Sequence, residues 1–192
     1  WSSDVCSSDL FLERFHRYVD AQVLGDPRDE ATTISPLIHP EHLARVAGFV
    51  DRARESGDEI VRGGKQPAIG GLWYEQTLIR PRSNDSEIVQ NEVFGPVLTL
   101  QTFTSEDEAI ALANSTPYGL SGIAFTASAE RADRVGRAVR AGTFWVNCFL
   151  VRDLTAPFGG AGQSGIGREG GDYALDFYSD LKTLQIAEGT TS

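Results

Sequence analysis

The sequence contains no methionine, an absence that ordinary usage over 192 residues does not produce. An intact reading frame opens on one, so the expectation is a piece of a longer chain. Cysteine is nearly absent as well, with only Cys6 and Cys148. Two thiols cannot frame a domain of this size, which excludes a disulfide scaffold and makes a reducing cytoplasm the simplest setting. Positive charge is short: Lys+Arg 17 against Asp+Glu 27 gives a net charge of -10 and a pI of about 4.7. Such a surface repels phosphate backbones and anionic lipid, so neither nucleic acid nor membrane is an expected partner. No apolar run approaches the roughly 20 residues that cross a bilayer, and no basic segment precedes an apolar one as in a signal peptide. Nor is there an internal repeat of about 20–50 residues, which excludes a solenoid.

What is present fits an ordinary folded chain. The hydrophobic fraction of 41% and charged fraction of 23% sit near globular averages, and a chain of this length buries roughly 70% of its unfolded surface. Residues 1–10, WSSDVCSSDL, nearly repeat themselves and show neither helical nor strand periodicity, so they are set aside as a non-native leader. From there Phe11, Phe15, Val19 and Val23 fall at helical spacing up to a break at Gly25-Asp26-Pro27. Pro40 suits a first helical position, and Leu43, Val46, Ala47, Val50 and Ala53 continue an apolar stripe to Gly57.

Short strands are predicted over 59–62, 72–79, 97–103, 122–126 and 143–148, the last of them buried, with turns at Gly63-Gly64 and Gly70-Gly71. Ser105 with Glu108 reads as a capping box opening a helix to Asn114, and Ser128 caps another that ends at Gly142. A helix over 172–179 and a last strand over 181–186 complete the chain. Strand and helix alternating in this way predict an α/β fold with a parallel sheet, and no linker divides it.

Several motifs carry possible chemistry. Gly160-Ala161-Gly162-Gln163-Ser164-Gly165 spells G-x-G-x-x-G, but no strand leads into it, Gly170-Gly171 break any helix after it, and Gln185 stands where an acidic residue is needed. It is not read as a dinucleotide fingerprint. His39 and His42 are spaced like ligands on a helix face, yet a third ligand is missing, so they are read as polar residues of a helix start. Ser164 lacks the G-x-S-x-G elbow. Cys148 follows an aromatic, β-branched strand with no cation in view and is read as a small apolar filler. On residue types alone, Glu92 is a salt-bridged carboxylate at a sheet edge, and Arg152 with Asp153 is a weak surface pair.

Three stretches change that reading when taken together: Asn91-Glu92-Val93-Phe94-Gly95-Pro96-Val97, Thr143-Phe144-Trp145-Val146-Asn147-Cys148, and Pro157-Phe158-Gly159-Gly160 continuing through Gln163-Ser164-Gly165-Ile166-Gly167-Arg168-Glu169. At these separations they resemble the NAD(P)-dependent aldehyde dehydrogenase superfamily, over the chain from about Phe11 onward. The resemblance implies a parallel-sheet catalytic domain of which 11–173 is the C-terminal part, followed over 174–192 by a terminal helix and an oligomerisation arm. It implies that Glu92 hydrogen-bonds the nicotinamide ribose and Phe94 packs near the nicotinamide. Leu150 and Arg152 fall in the stretch that lines the aldehyde pocket, Phe158 in the substrate tunnel, and Glu169 on a proton path. Gly162 departs from the pattern, standing where the family often has Lys.

The family mechanism is attack of a Cys thiolate on the aldehyde, hydride transfer to NAD or NADP, and hydrolysis of the thioester by a Glu-activated water. The nucleophile belongs to an F-x-N-x-G-Q-x-C segment that this chain does not contain, so the chain alone is expected to be inactive. The V-R-D-L context of Arg152 is similar to that of semialdehyde dehydrogenases acting on carboxylated substrates, and Arg suits bidentate carboxylate recognition. The last strand implies a homo-oligomer by strand addition.

Two other readings stand beside this one. The first is a non-catalytic α/β interaction module that uses its terminal strand as a binding edge; coding sequence upstream of Phe11 separates it from the enzyme. The second is a glutamyl-phosphate reductase type of domain, against which the whole Pro157 to Glu169 run speaks.

Overall fold

The structure is a computed structural model, and it describes residues 4–187, with the backbone alone over 4–7. Residues 1–3 of the presumed leader and 188–192 of the presumed arm lie outside the described residues. The chain divides into two compact units between Thr116 and Pro117, at a junction the sequence does not advertise as a linker.

The first unit is built on α2 (Pro40–Glu55). His39 caps it, its Nδ1 accepting from the Glu41 N–H at 3.2 Å, and Pro40 occupies the start, where a missing N–H costs nothing. The stripe Val46, Phe49, Val50 and Ala53 is buried and packs with Tyr74, Ile79, Ile88 and Val93 into one core. Each fully buried aliphatic side chain contributes roughly 1.5–3 kcal/mol, and Val46, Val50, Leu78 and Ile79 are all fully buried.

Beside this helix lies a three-stranded sheet in the order β1 (Glu59–Arg62), β2 (Thr77–Arg80), β3 (Val97–Thr99). β2 and β3 run parallel, but β1 and β2 are antiparallel, with a bulge between Ile60 and Arg62. The expected parallel pairing is present in β2 and β3, and the antiparallel β1 is an addition to it. The physical reason is a connection that stays paired with itself, the Gly64 N–H donating to the Thr77 hydroxyl and the Glu75 N–H to the Lys65 carbonyl. It reverses at the Pro67–Gly71 turn, where Gly70 and Gly71 have φ +72° and +68°, so the chain returns along β1 instead of crossing over.

α1 (Asp4–Asp20) begins well before Phe11, inside the segment set aside as leader. It is tied to β1 by an ion pair between Arg62 and Asp20 at 2.6 Å. The short α3 (Glu87–Gln90), which no periodicity announced, is held by Asp58. That buried carboxylate accepts from the Arg82 N–H at 2.7 Å and the Ser86 hydroxyl at 2.9 Å. α4 (Glu106–Ala113) carries the expected cap, with Ser105 accepting from the Glu108 N–H at 3.1 Å.

The second unit holds a strand–helix–strand crossover: β4 (Ser121–Ala124), α5 (Ala129–Ala138) and β5 (Thr143–Val146), with β4 and β5 parallel and α5 packed on both. Ser128 caps α5 as read from the sequence, accepting from the Arg131 N–H at 3.2 Å. β5 stops at Val146, and of its residues only Trp145 is buried, so the expected buried strand to Cys148 is shorter and more open than its composition suggests. α6 (Tyr173–Tyr178) follows. Residues 181–187 carry no strand; Leu181, Leu184 and Ile186 are 90%, 75% and 78% exposed. Within this chain the expected last strand is not formed, because a strand needs an edge to bond to and no other described strand of the chain pairs with it.

Candidate functional site

Two sets of loop residues selected from the sequence are placed by quite different means. In the first unit the loop after α3 carries Glu92 and Phe94, both exposed, on either side of buried Val93. Val93 sinks into the α2 core and sets the alternation. α2 also grips the loop from outside. Arg45 Nη2 donates to the Glu92 carbonyl at 2.6 Å, Arg45 Nη1 donates to the Val93 carbonyl, and His42 Nε2 lies 2.5 Å from the Phe94 carbonyl. Since a carbonyl only accepts, Nε2 carries the proton in that contact.

Phe94 itself has φ +58° and is 73% exposed. A bulky residue in the left-handed region costs about 1–2 kcal/mol and persists only where its surroundings over-determine it. Gly95 must be glycine, since a Cβ there would meet Val46 Cγ2 at 2.6 Å. The loop thus carries an exposed carboxylate and an exposed ring on a fastened backbone.

In the second unit the loop 147–152 leaves β5 with Asn147 and Leu150 both at φ +55°. Asn147 is locked against Thr126, its amide accepting from the Thr126 N–H and donating to the Thr126 carbonyl, each at 2.8 Å. Trp145 Nε1 donates to the Val151 carbonyl at 2.9 Å, with its ring edge-on to Phe149 at 5.6 Å. Leu150 is 63% exposed at the turn.

Arg152 meets two other residues picked out in this unit, Phe158 and Glu169. Its guanidinium lies 4.3 Å from the Phe158 ring centroid and 3.6 Å from Glu169 Oε1. Phe158 and Glu169 are joined through their backbones, at 2.7 and 2.8 Å. The expected Arg152–Asp153 pair is corrected: Asp153 instead accepts from the Thr155 hydroxyl at 2.7 Å and the Thr155 N–H at 2.9 Å. Those bonds hold its carboxyl below the usual carboxylate range.

The glycine run between them is no dinucleotide loop. It is a 3-10 turn over Gly162–Ser164. Arg168 Nη1 gathers it by donating to the Gly160 and Gly167 carbonyls at 2.7 and 2.8 Å, and Ser164 Oγ accepts from the Gly119 N–H at 3.0 Å. Cys148 is a free, half-buried thiol. His39 and His42 do separate work, one capping α2 and the other reaching the Phe94 carbonyl.

The residues that sequence reasoning passed over are Arg45 and, in its actual role, His42. Arg45 stands on the apolar flank of α2 and stacks 5.1 Å over Phe49. In the sequence it is one more charge on an amphipathic helix. Trp145 was legible only in that a buried indole N–H needs an acceptor.

The Aldehyde dehydrogenase family profile matches residues 6–184, beginning inside the segment set aside as leader. The chain is 40% identical to the 2-hydroxymuconic semialdehyde dehydrogenase of Pseudomonas putida over 183 residues, which is 93% of this chain and 38% of that protein. It is 38% identical to the betaine aldehyde dehydrogenase of Agrobacterium fabrum over 182 residues, 93% of this chain and 37% of that one. Among solved structures, the betaine aldehyde dehydrogenase of Staphylococcus aureus in complex with NAD+ superposes with a TM-score of 0.84 at 40% identity, over 88% of this chain and 35% of that chain. The chain thus spans well under half the length of the relatives it matches. With a profile match across nearly all of its residues, this chain belongs to the aldehyde dehydrogenase family.

Proposed function

We propose that this chain is the C-terminal part of an enzyme that oxidises an aldehyde to the acid with NAD or NADP, and that the aldehyde carries a carboxylate. The observation that supports the second half is the setting of Arg152, spread over Phe158 and paired only loosely with Glu169. A half-exposed ion pair of this length is worth about 0–1 kcal/mol, so an incoming carboxylate displaces Glu169 at little cost. The aromatic face keeps the guanidinium oriented meanwhile. A cationic aldehyde such as betaine aldehyde meets repulsion at the same point. Leu150 and Phe158 supply apolar surface for the rest of the substrate. Glu169, solvent-exposed beside Arg152, is proposed as a step in a proton path.

The loop chemistry fits the coenzyme. An outward carboxylate accepts from ribose hydroxyls, and an exposed ring offers a face to a nicotinamide; Glu92 and Phe94 present these side by side. When bound, the coenzyme accepts the hydride. The thiol nucleophile is assigned to the F-x-N-x-G-Q-x-C segment, so this chain by itself is expected to show no turnover. The exposed segment 181–187 is proposed to join the sheet of a second copy, giving a homo-oligomer; if removing it leaves the sedimentation velocity unchanged, that assignment fails. The free Cys148 suits a reducing, cytoplasmic setting.

The test is substrate discrimination in the full-length dehydrogenase carrying this chain. Losing a hydrogen bond to a charged group costs about 1.5–3 kcal/mol. Arg152→Ala should therefore lower kcat/KM for a carboxylated semialdehyde about ten- to hundredfold, while kcat/KM for betaine aldehyde holds or rises. Equal losses on both substrates would remove Arg152 from carboxylate recognition.

A further inference from the structure

Three successive carbonyls, those of Glu92, Val93 and Phe94, all accept hydrogen bonds from side chains of one helix, α2. Backbone carbonyls in a surface loop normally turn to water. Here they are taken up in sequence by Arg45, Arg45 and His42, leaving the loop no rotation that keeps all three. The arrangement is closed from the other side as well. Val93 is buried in the α2 core, and the approach of Gly95 to Val46 admits no Cβ. Phe94 is held at φ +58° with its ring 73% exposed. Strain in a solvated aromatic residue, maintained by bonds from a neighbouring helix, does not serve core packing, since the ring contributes little to the core. It serves to aim the side chains that point outward.

We propose that His42 and Arg45 are positioning residues for the coenzyme loop, fixing through its backbone the directions of the Glu92 carboxylate and the Phe94 ring. This rests on the coenzyme reading of Glu92 and Phe94 given above. Arg45 is suited to the task because its planar fork reaches two adjacent carbonyls at once, which a lysine ammonium does only by choosing between them. Its own orientation is set by stacking 5.1 Å over Phe49. His42 donates through Nε2 at 2.5 Å and its ring lies 6.4 Å from that of Phe94, so the same imidazole touches both the backbone and the flank of the residue it orients.

The experiment uses the full-length dehydrogenase carrying this chain, with Arg45→Ala, Arg45→Lys, His42→Ala and His42→Gln. Two quantities are read: amide hydrogen exchange across residues 91–97, and the dissociation constant for NAD+ set beside the KM for the aldehyde. Arg45→Ala should raise loop exchange and weaken NAD+ binding about tenfold or more, as loss of bonds to a charged donor implies, with the aldehyde KM little changed. Arg45→Lys, which keeps the charge but not the fork, should recover only part of this. His42→Gln, whose amide N–H can reach the same carbonyl, should stand closer to the parent than His42→Ala. Where Arg45→Ala does not fold, the Arg45→Lys and His42→Gln pair decides. Unchanged loop exchange in the alanine variants overturns the proposal outright. Raised exchange with unchanged NAD+ affinity leaves the bonds standing but refutes the coenzyme role of the loop, and the positioning role with it.

Discussion

In the first unit α2 lays Val46, Phe49, Val50 and Ala53 against the sheet and buries all four. In the second, α5 packs on β4 and β5 and buries none of its residues. Among the described residues, every buried apolar side chain except that of Trp145 belongs to the first unit. The second unit instead exposes Phe125, Phe149, Leu150, Val151, Leu154 and Ile166. One unit is held by burial, the other by hydrogen bonds and close backbone contacts. The loops follow suit. The Glu92–Phe94 loop is fastened to a helix that is itself anchored in a core. The Phe158–Glu169 loop is fastened by Arg168, by the paired backbones of its two ends, and by bonds from Ala161 N–H and Gln163 N–H to the Gly119 and Pro117 carbonyls. Such a unit keeps its shape through turns while leaving apolar surface for a further surface to cover.

The largest effect that tests this contrast is truncation of an apolar side chain in each unit. Ile79 is fully buried, and Ile79→Ala should cost about 2–5 kcal/mol, read from the urea midpoint. Ile166 is 99% exposed, and Ile166→Ala should fall within about 0.5 kcal/mol of the parent. Comparable losses at the two sites would mean that the second unit is buried against something, and the contrast would dissolve. A smaller effect should appear where the second unit depends on backbone approach. A Cβ on Gly142 would lie 1.6 Å from the Gly159 carbonyl oxygen, so Gly142→Ala should destabilise by about 1–3 kcal/mol. Limited proteolysis cutting between residues 157 and 169 would register it. A neutral Gly142→Ala would show that the glycine loop is free of β5.

The same division governs how much could be read from the sequence. The helix at Pro40, its stripe and the Ser105 and Ser128 caps were legible because periodicity and capping are local and repeated. The antiparallel turn of β1 was not, since four residues of strand carry no sign of direction, and α3 is too short to show a period. The site divides likewise. Glu92, Phe94, Arg152 and Phe158 stand out by motif, whereas Arg45 and His42 act on carbonyls 47, 48 and 52 residues away, and no spacing in the sequence encodes such a meeting. The Arg152–Asp153 pairing failed for the converse reason, because adjacency in sequence promised a contact that the turn at Asp153–Thr155 took away.

The burial of the first unit also has a signature in pH. Tyr74 is 3% exposed and belongs to the α2 core. Burial, reinforced by the nearby Asp51 carboxylate, pushes its phenol up to about 12 from the usual 10.0. In the unfolded chain the phenol ionises near 10.0, while in the folded chain it holds its proton to about 12. Below 10.0 both states are protonated and Tyr74 contributes no pH dependence. Between the two values the unfolded state binds fewer protons, so stability must fall as pH rises. A urea-unfolding series across that window should show the decline, and Tyr74→Phe should flatten it whatever the variant does to stability at neutral pH. No tyrosine of the second unit has a comparable burial: Tyr118 is only half-buried, and Tyr173 and Tyr178 are 59% and 72% exposed. Replacing those two should therefore leave the alkaline limb in place, and a limb that vanished with them would put the buried phenol in the wrong unit.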